Sequence, residues 1–98
     1  MMAFDPALRH LIAAFRTSPE WDPTLDLELL QKLWPSMVGP KLAASTTITA
    51  VQGSRVVVNV PDVIWRRQLI KMTPQLLARM NEPWATPWIR EIAFTHEN

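Results

Sequence analysis

Basic side chains in the second half of the chain are the residues whose type and spacing best suit them to contact another molecule. Arg67 and Lys71 are four residues apart, and no aspartate or glutamate occurs between Asp62 and Glu82. Guanidinium and ammonium groups bind the phosphates of nucleic acids. A solvated helix face explains so small a set equally well. The candidate nucleic-acid-binding residues are Arg55, Arg66, Arg67, Lys71 and Arg79.

No residue pattern in the chain is typical of an enzyme. The histidines, His10 and His96, lie near opposite ends, and neither has a second donor at metal-ligand spacing. There is no cysteine, and Gly39 and Gly53, the only glycines, are not in a phosphate-binding loop. No serine has the partners typical of a nucleophile and its base. We therefore expect neither catalytic activity nor a metal or other cofactor.

Five tryptophans are more than a core of this size usually needs. Trp84 lies in a proline-bounded loop that ends at Pro87, and Trp88 directly follows it; the two are candidate anchors for a protein partner. The preferred alternative is that the two rings cover one end of a sheet. Trp65 belongs to a helical apolar stripe, which predicts a position in the core.

Length and composition are typical of one globular domain. The chain has 98 residues, of which 48% are hydrophobic, and we expect a single domain over 1–98. The formal net charge of +1 gives no general attraction to nucleic acids or anionic membranes. The charge is uneven, however. Residues 1–31 carry two basic and five acidic side chains, whereas residues 32–98 carry eight and four.

The sequence shows no signal for a membrane or for export. The apolar run at 11–15 is too short to span a bilayer, and no basic leader precedes it. The absence of cysteine excludes disulfides and fits a reducing compartment. We therefore expect a soluble, cytoplasmic protein with no membrane partner.

The elements that position these residues are organised around a corner at 33–43. A helical apolar face predicts that Trp34 is buried near the end of a helix. Pro35 predicts a kink or a tight turn at 34–36. Gly39 predicts a left-handed helix end, and Pro40 can begin a short turn beyond it. The apolar positions of this face are Leu30, Leu33, Trp34, Met37 and Val38.

Capping residues followed by proline or by an apolar stripe predict the helices. Asp5 begins a helix at about 5–16, and Asp22 begins one that runs into the corner. Asp62 and Thr73 begin helices at about 62–72 and 74–81. The predicted core stripe of this last pair is Trp65, Leu69, Met72, Leu76 and Met80.

Two β-branched runs predict a hairpin with its turn at Gly53. The second run, 55–60, should bury alternate valines and leave Arg55 and Asn59 on the wetter face. A last strand is predicted at 88–95, with Ile92 and Phe94 facing inward. The order α-α-β-β-α-α-β predicts an α+β sandwich of helices on a small, mainly antiparallel three-stranded sheet.

Several short patterns occur along the chain in a distinctive order. They are Leu33-Trp34-Pro35 followed by Val38-Gly39-Pro40 and Leu42-Ala43, a hairpin centred on a glycine, Trp65 with Leu69, Leu76-Leu77 with Asn81, and Ile92 with Phe94. Together they resemble the DciA family over residues 24–95. The positions that carry most of the resemblance are Trp34, Val38, Gly39, Pro40, Trp65, Leu69 and Asn81.

The resemblance implies a bacterial protein that binds DnaB, the hexameric replicative helicase, and helps to place it on DNA. It also implies a domain similar to a KH fold, and the predicted order from the second helix onward agrees. RNA-binding KH domains clamp the backbone with a GXXG loop between paired helices. Here that junction, 71–74, contains no glycine, which disfavours the standard KH mode.

Three hypotheses follow. The first is a noncatalytic adaptor that binds the replicative helicase and contacts single-stranded DNA weakly. The second is a stand-alone module for single-stranded DNA or RNA without a helicase partner. The third is a homo-oligomeric structural protein that assembles through its tryptophan-rich edge.

Overall fold

The structure, a computed structural model, describes residues 6–19, 21–84 and 87–96. These residues form five helices and three strands. In chain order they are α1 (Pro6–Arg16), α2 (Pro23–Val38), α3 (Pro40–Ser45), β1 (Thr47–Gln52), β2 (Arg55–Val60), α4 (Val63–Lys71), α5 (Thr73–Asn81) and β3 (Glu91–His96). The predicted α+β class and order are confirmed, and α3 is a short helix where a turn was predicted.

The three strands form one mixed sheet in the order β1-β2-β3. β1 and β2 are an antiparallel hairpin, and Gly53 has a φ of 63° in its two-residue turn. β3 pairs with β2 in parallel, so the prediction of a mainly antiparallel sheet was wrong. β3 is parallel to β2 because α4 and α5 return the chain to the end of the sheet at which β2 began.

The core lies between the helices and one face of the sheet. Val56, Val58 and Val60 point into it, as predicted for alternate positions of β2. α2, α4 and α5 contribute most of the remaining buried apolar side chains. They are Leu30, Trp34, Met37 and Val38 from α2, Leu69 from α4, and Leu76 and Met80 from α5.

Two members of the predicted core stripe lie elsewhere. Met72 is 40% exposed, because it occupies the junction between α4 and α5 and so no longer follows the helical spacing. Trp65 packs against the edge of the core and is half-buried. β3 begins at Glu91 and not at 88, so Ile89 is buried in the segment before the strand.

The corner after α2 differs from the prediction in its details. α2 continues through Pro35 to Val38 without the turn predicted at 34–36. The proline lies in the last turn, where the Gly39 N–H donates to the Pro35 carbonyl at 2.9 Å. Gly39 has a φ of 93° and a ψ of 155°, so its φ is positive as predicted but its ψ is extended. Pro40 then begins α3.

Two of the predicted helix caps are present and one is not. The Asp22 carboxylate accepts the Thr24 N–H at 2.7 Å, and the Asp62 carboxylate accepts the Trp65 N–H at 2.9 Å. Thr73 is instead the first residue of α5, and no side chain caps that helix. The cap predicted at Asp5 lies outside the described residues. No helix in the described part of the chain is long and apolar enough to cross a membrane.

Candidate interaction surface

Helix α4 presents the predicted cations because of how it is anchored. It begins at the Asp62 cap and packs on β3 and β2, with Leu69 buried and Trp65 half-buried on the inner side. The helical period of 3.6 residues places Arg67 and Lys71 on the opposite side, toward solvent. The sheet therefore fixes the direction in which this side of α4 faces.

The solvent side of α4 forms a shallow depression of about 420 Å³. We call this surface the α4 outer face. It consists of Ile64, Arg67, Gln68, Ile70 and Lys71. Ile64 is 68% and Ile70 45% exposed, and the two side chains flank the ridge formed by Arg67 and Lys71.

The five candidate nucleic-acid-binding cations are not all on one surface. The Arg66 Nε–H donates to the Phe94 carbonyl at 3.1 Å and so ties α4 to β3. Arg55 pairs with Glu91, its neighbour across the β2–β3 ladder, at 3.4 Å. Arg79 is exposed on α5. Only Arg67 and Lys71 lie together on the α4 outer face.

The structure places Trp84 in the core rather than on the surface. Its side chain is 1% exposed, and its indole N–H donates to the Met80 carbonyl at 2.8 Å. Trp88 is half-buried and packs edge-on against Trp84, with ring centroids 5.5 Å apart. This arrangement corrects the expectation of a partner-binding anchor at Trp84.

An arginine that sequence reasoning did not single out joins α1 to this aromatic cluster. Arg16 forms a bidentate ion pair with the buried Asp26, with distances of 3.0 and 3.3 Å. Its guanidinium carbon lies 5.1 Å from the centroid of Trp84 and 4.9 Å from that of Trp88. The sequence contains one signal of this ion pair. Asp26 occupies the same helical stripe as Leu30, and a carboxylate buried there requires a cation.

Helix α1 also has an exposed apolar side. Leu11 is 65% and Phe15 54% exposed, and Phe15 packs edge-on against Trp21 at 5.1 Å. Together with Leu25 and Leu29 of α2 they border a depression of about 330 Å³, which we call the α1–α2 groove. Its charged residues, Glu28 and Lys32, have opposite signs.

Comparison with known protein families decides the assignment. The sequence model of the family described as Dna[CI] antecedent, DciA, matches residues 7–94. The chain belongs to the DciA family. The match extends the expected range of 24–95 back into α1. A search of curated proteins found no match.

The positions that carried the resemblance to DciA have structural roles here. The Asn81 side chain donates to the Leu77 and Ile89 carbonyls at 3.0 and 2.9 Å and accepts the Trp88 and Ile89 N–H groups at 3.1 Å. These bonds fix the segment between α5 and β3. Trp34 is buried, and its indole N–H donates to the Thr46 hydroxyl at 2.9 Å, which closes the corner between α2 and β1.

Membership of the DciA family implies, in general terms, a role in loading the DnaB-type replicative helicase during bacterial DNA replication. The described residues contain no group of three or more histidine, cysteine, aspartate or glutamate side chains placed to hold a metal ion. Among the described surfaces, the α4 outer face combines exposed apolar side chains with two cationic ones.

Proposed function

We propose that the chain is a noncatalytic adaptor in the initiation of DNA replication, which binds the hexameric DnaB-type helicase and assists its loading on DNA. The observation that carries the proposal is the DciA match, which covers residues 7–94 of 98. The proposal includes a cytoplasmic location and a relationship of the domain to the KH fold. The helix pair α4–α5 between β2 and β3 supports that relationship.

An adaptor needs a rigid body with an accessible surface, and the fold has both. The bonds of Asn81 and the ion pair of Arg16 hold the helices and loops in place, whereas the α4 outer face is left to solvent. The proposal therefore assigns the buried polar groups to folding and the exposed side of α4 to recognition.

The experiment is co-purification of the tagged chain with the replicative helicase of the same bacterium. We expect the two proteins to co-elute in size-exclusion chromatography, and we expect the chain alone to show no hydrolysis of ATP. Failure of a folded sample to bind the hexamer would contradict the proposal. Circular dichroism and a cooperative thermal transition establish that the sample is folded.

A second candidate function is a stand-alone module for single-stranded nucleic acid. Arg67 and Lys71, exposed in a segment without acidic residues, favour it. Titration of labelled oligo-dT and oligo-U at two salt concentrations separates the two functions. Tight, salt-sensitive binding of an oligonucleotide with no binding to the helicase would favour the module.

A further inference from the structure

Exposed apolar side chains are concentrated at α4. Six large hydrophobic side chains are exposed in the described part of the chain, and four of them lie in α4 or directly after it. They are Val63, Ile64, Ile70 and Met72. A cluster of exposed apolar side chains rimmed by polar residues is typical of an interaction surface. The cluster therefore requires an explanation beyond the packing of this domain.

The charges on the same surface are not neutralised. Arg67 and Lys71 have no ion-pair or hydrogen-bond partner among the residues that the structure describes. α4 and α5 contain no aspartate or glutamate. A ligand that covers the α4 outer face and buries these cations is therefore favoured if it supplies negative charge as well as apolar contact.

The apolar residues favour protein over single-stranded nucleic acid as that ligand. Sites for single strands stack bases on aromatic rings, and each stacked base contributes substantially to affinity. The α4 outer face has no aromatic ring, because Trp65, the aromatic residue of α4, faces the core. A cluster of exposed apolar side chains with an arginine and the exposed Met72 beside it instead matches a protein interface, in which arginine and methionine are enriched.

The α1–α2 groove lacks this combination. Leu11 and Phe15 are about as exposed as Ile64 and Ile70, but Phe15 is already packed against Trp21. Its two charged residues, Glu28 and Lys32, are one helical turn apart and of opposite sign, so the groove has no charge that a partner must match. The groove therefore serves as a matched control for the effect of removing exposed apolar area.

We propose that the α4 outer face is the docking site for an acidic, amphipathic segment of the replicative helicase. In this complex the apolar side of the segment covers Ile64 and Ile70, and its carboxylates pair with Arg67 and Lys71. The proposal rests on the adaptor function proposed above and specifies the surface that performs it. While the helicase is bound, Arg67 and Lys71 are therefore not available to bind DNA.

The test compares three double variants of the full chain. Ile64→Gln with Ile70→Gln removes the apolar contact and keeps the charge and helix propensity. Arg67→Gln with Lys71→Gln removes the charge and keeps the apolar contact. Leu11→Gln with Phe15→Gln removes a similar exposed apolar area from the α1–α2 groove. Each variant is titrated against the immobilised helicase hexamer at two salt concentrations, and thermal unfolding establishes that each is folded.

We expect the isoleucine variant to raise the Kd for the helicase by about tenfold or more. The cation variant should raise it by roughly tenfold at low salt and should reduce its dependence on salt. The groove variant should stay within about twofold of the unaltered chain, since it removes no contact with the helicase.

Each other outcome contradicts a specific part of the account. If the unaltered chain does not bind the hexamer, the adaptor function fails and this proposal fails with it. If the unaltered chain binds and the isoleucine variant binds equally well, only the docking surface is overturned. If the cation variant loses oligo-dT binding while both α4 variants keep full affinity for the helicase, the α4 outer face is a nucleic-acid site instead.

Discussion

At the scale of single residues, the side chain of Asn81 shows how one polar group can determine the path of a segment. Its amide makes four hydrogen bonds, two to carbonyls and two to backbone N–H groups. Those groups belong to the end of α5 and to the residues just before β3. Without the amide, several partly buried backbone groups would lack partners, and such groups are costly to leave unpaired.

Substitution Asn81→Leu should therefore lower the free energy of unfolding by about 2–4 kcal/mol. The matched control is Gln75→Leu, because Gln75 is also an amide on α5 but is exposed. We expect the control to change stability by less than about 0.5 kcal/mol. Urea denaturation measures both. Equal effects of the two substitutions would show that the bonds of Asn81 are not important for stability.

The Asp22 carboxylate gives a prediction about pH. Hydrogen bonds from the Thr24 hydroxyl and the Thr24 N–H stabilise the ionised form and hold the pKa of Asp22 below its ordinary value of 3.8. A lowered pKa in the folded state means that the cap contributes fully above pH 3.8. The contribution is lost as the pH falls through the lowered pKa.

Titration of the Asp22 side chain by NMR should therefore give a midpoint below 3.8. The variant Asp22→Asn keeps a capping side chain that does not titrate. The stability difference between the variant and the unaltered chain should therefore be constant at neutral pH and should change only in acid. A midpoint at or above 3.8 would contradict the cap geometry.

At the scale of elements, α1 is joined to the rest of the domain by long side chains. Ile12 enters the core, Arg9 donates to the Trp84 carbonyl at 3.2 Å, and Arg16 pairs with Asp26 among the indole rings. The ion pair of Arg16 with Asp26 is one of these three contacts, and both of its side chains are largely buried.

The ion pair predicts a difference between single and double substitutions. Arg16→Met leaves the Asp26 carboxylate buried without a cation and should lower the free energy of unfolding by about 3 kcal/mol. Adding Asp26→Leu removes the unpaired charge, so the double variant should recover most of the loss. Chemical denaturation measures both variants. A double variant as unstable as the single one would indicate that the aromatic packing of Arg16, and not its charge, is what matters.

Local signals explain which elements could be predicted from the sequence. The predicted helix at 5–16 corresponds to α1 (Pro6–Arg16), and the hairpin and buried valines of β2 were correctly predicted. Each depends on a cap, a turn glycine or a spacing within one segment. The direction of β3 depends on where α4 and α5 pack, which is information that no single segment contains. The turn that was one of the two outcomes predicted at Pro35 does not form, because α2 continues to Val38 with Trp34 buried in the core.

The candidate site was only partly predictable for the same reason. The absence of acidic residues from 63–81 drew attention to α4, and the structure shows that Arg67 and Lys71 are exposed there. The sequence does not show that Arg66 turns to the edge of β3 or that Arg55 pairs with Glu91, because both contacts join separate elements. Trp84 was predicted to be a partner-binding anchor because its own loop gives no sign of its burial. That burial depends on contacts with α1 and α5, which are separate elements.

At the scale of the whole molecule, the small net charge gives the domain no general attraction to DNA, and two of the predicted cations have partners within the domain. The formal net charge is +1. Of the five predicted cations, Arg66 and Arg55 are engaged within the domain, which leaves Arg67, Lys71 and Arg79 for phosphates. These charges favour protein over DNA as the main contact in the proposed adaptor function.

The salt dependence of binding to single-stranded DNA should accordingly be shallow. Three phosphate contacts predict a slope of log K against log salt of about −2. Fluorescence anisotropy of labelled oligo-dT at several salt concentrations measures this slope. A slope steeper than about −4 would require more cations than Arg67, Lys71 and Arg79 and would favour the nucleic-acid module.

The most direct test of the account is methyl NMR of the chain, labelled at isoleucine, with and without the helicase hexamer. The isoleucines report on separate regions and are Ile12, Ile48, Ile64, Ile70, Ile89 and Ile92. We predict that the helicase perturbs the resonances of Ile64 and Ile70 and leaves Ile12, which borders the α1–α2 groove, unchanged. Perturbation at Ile12 without any at Ile64 and Ile70 would contradict the account.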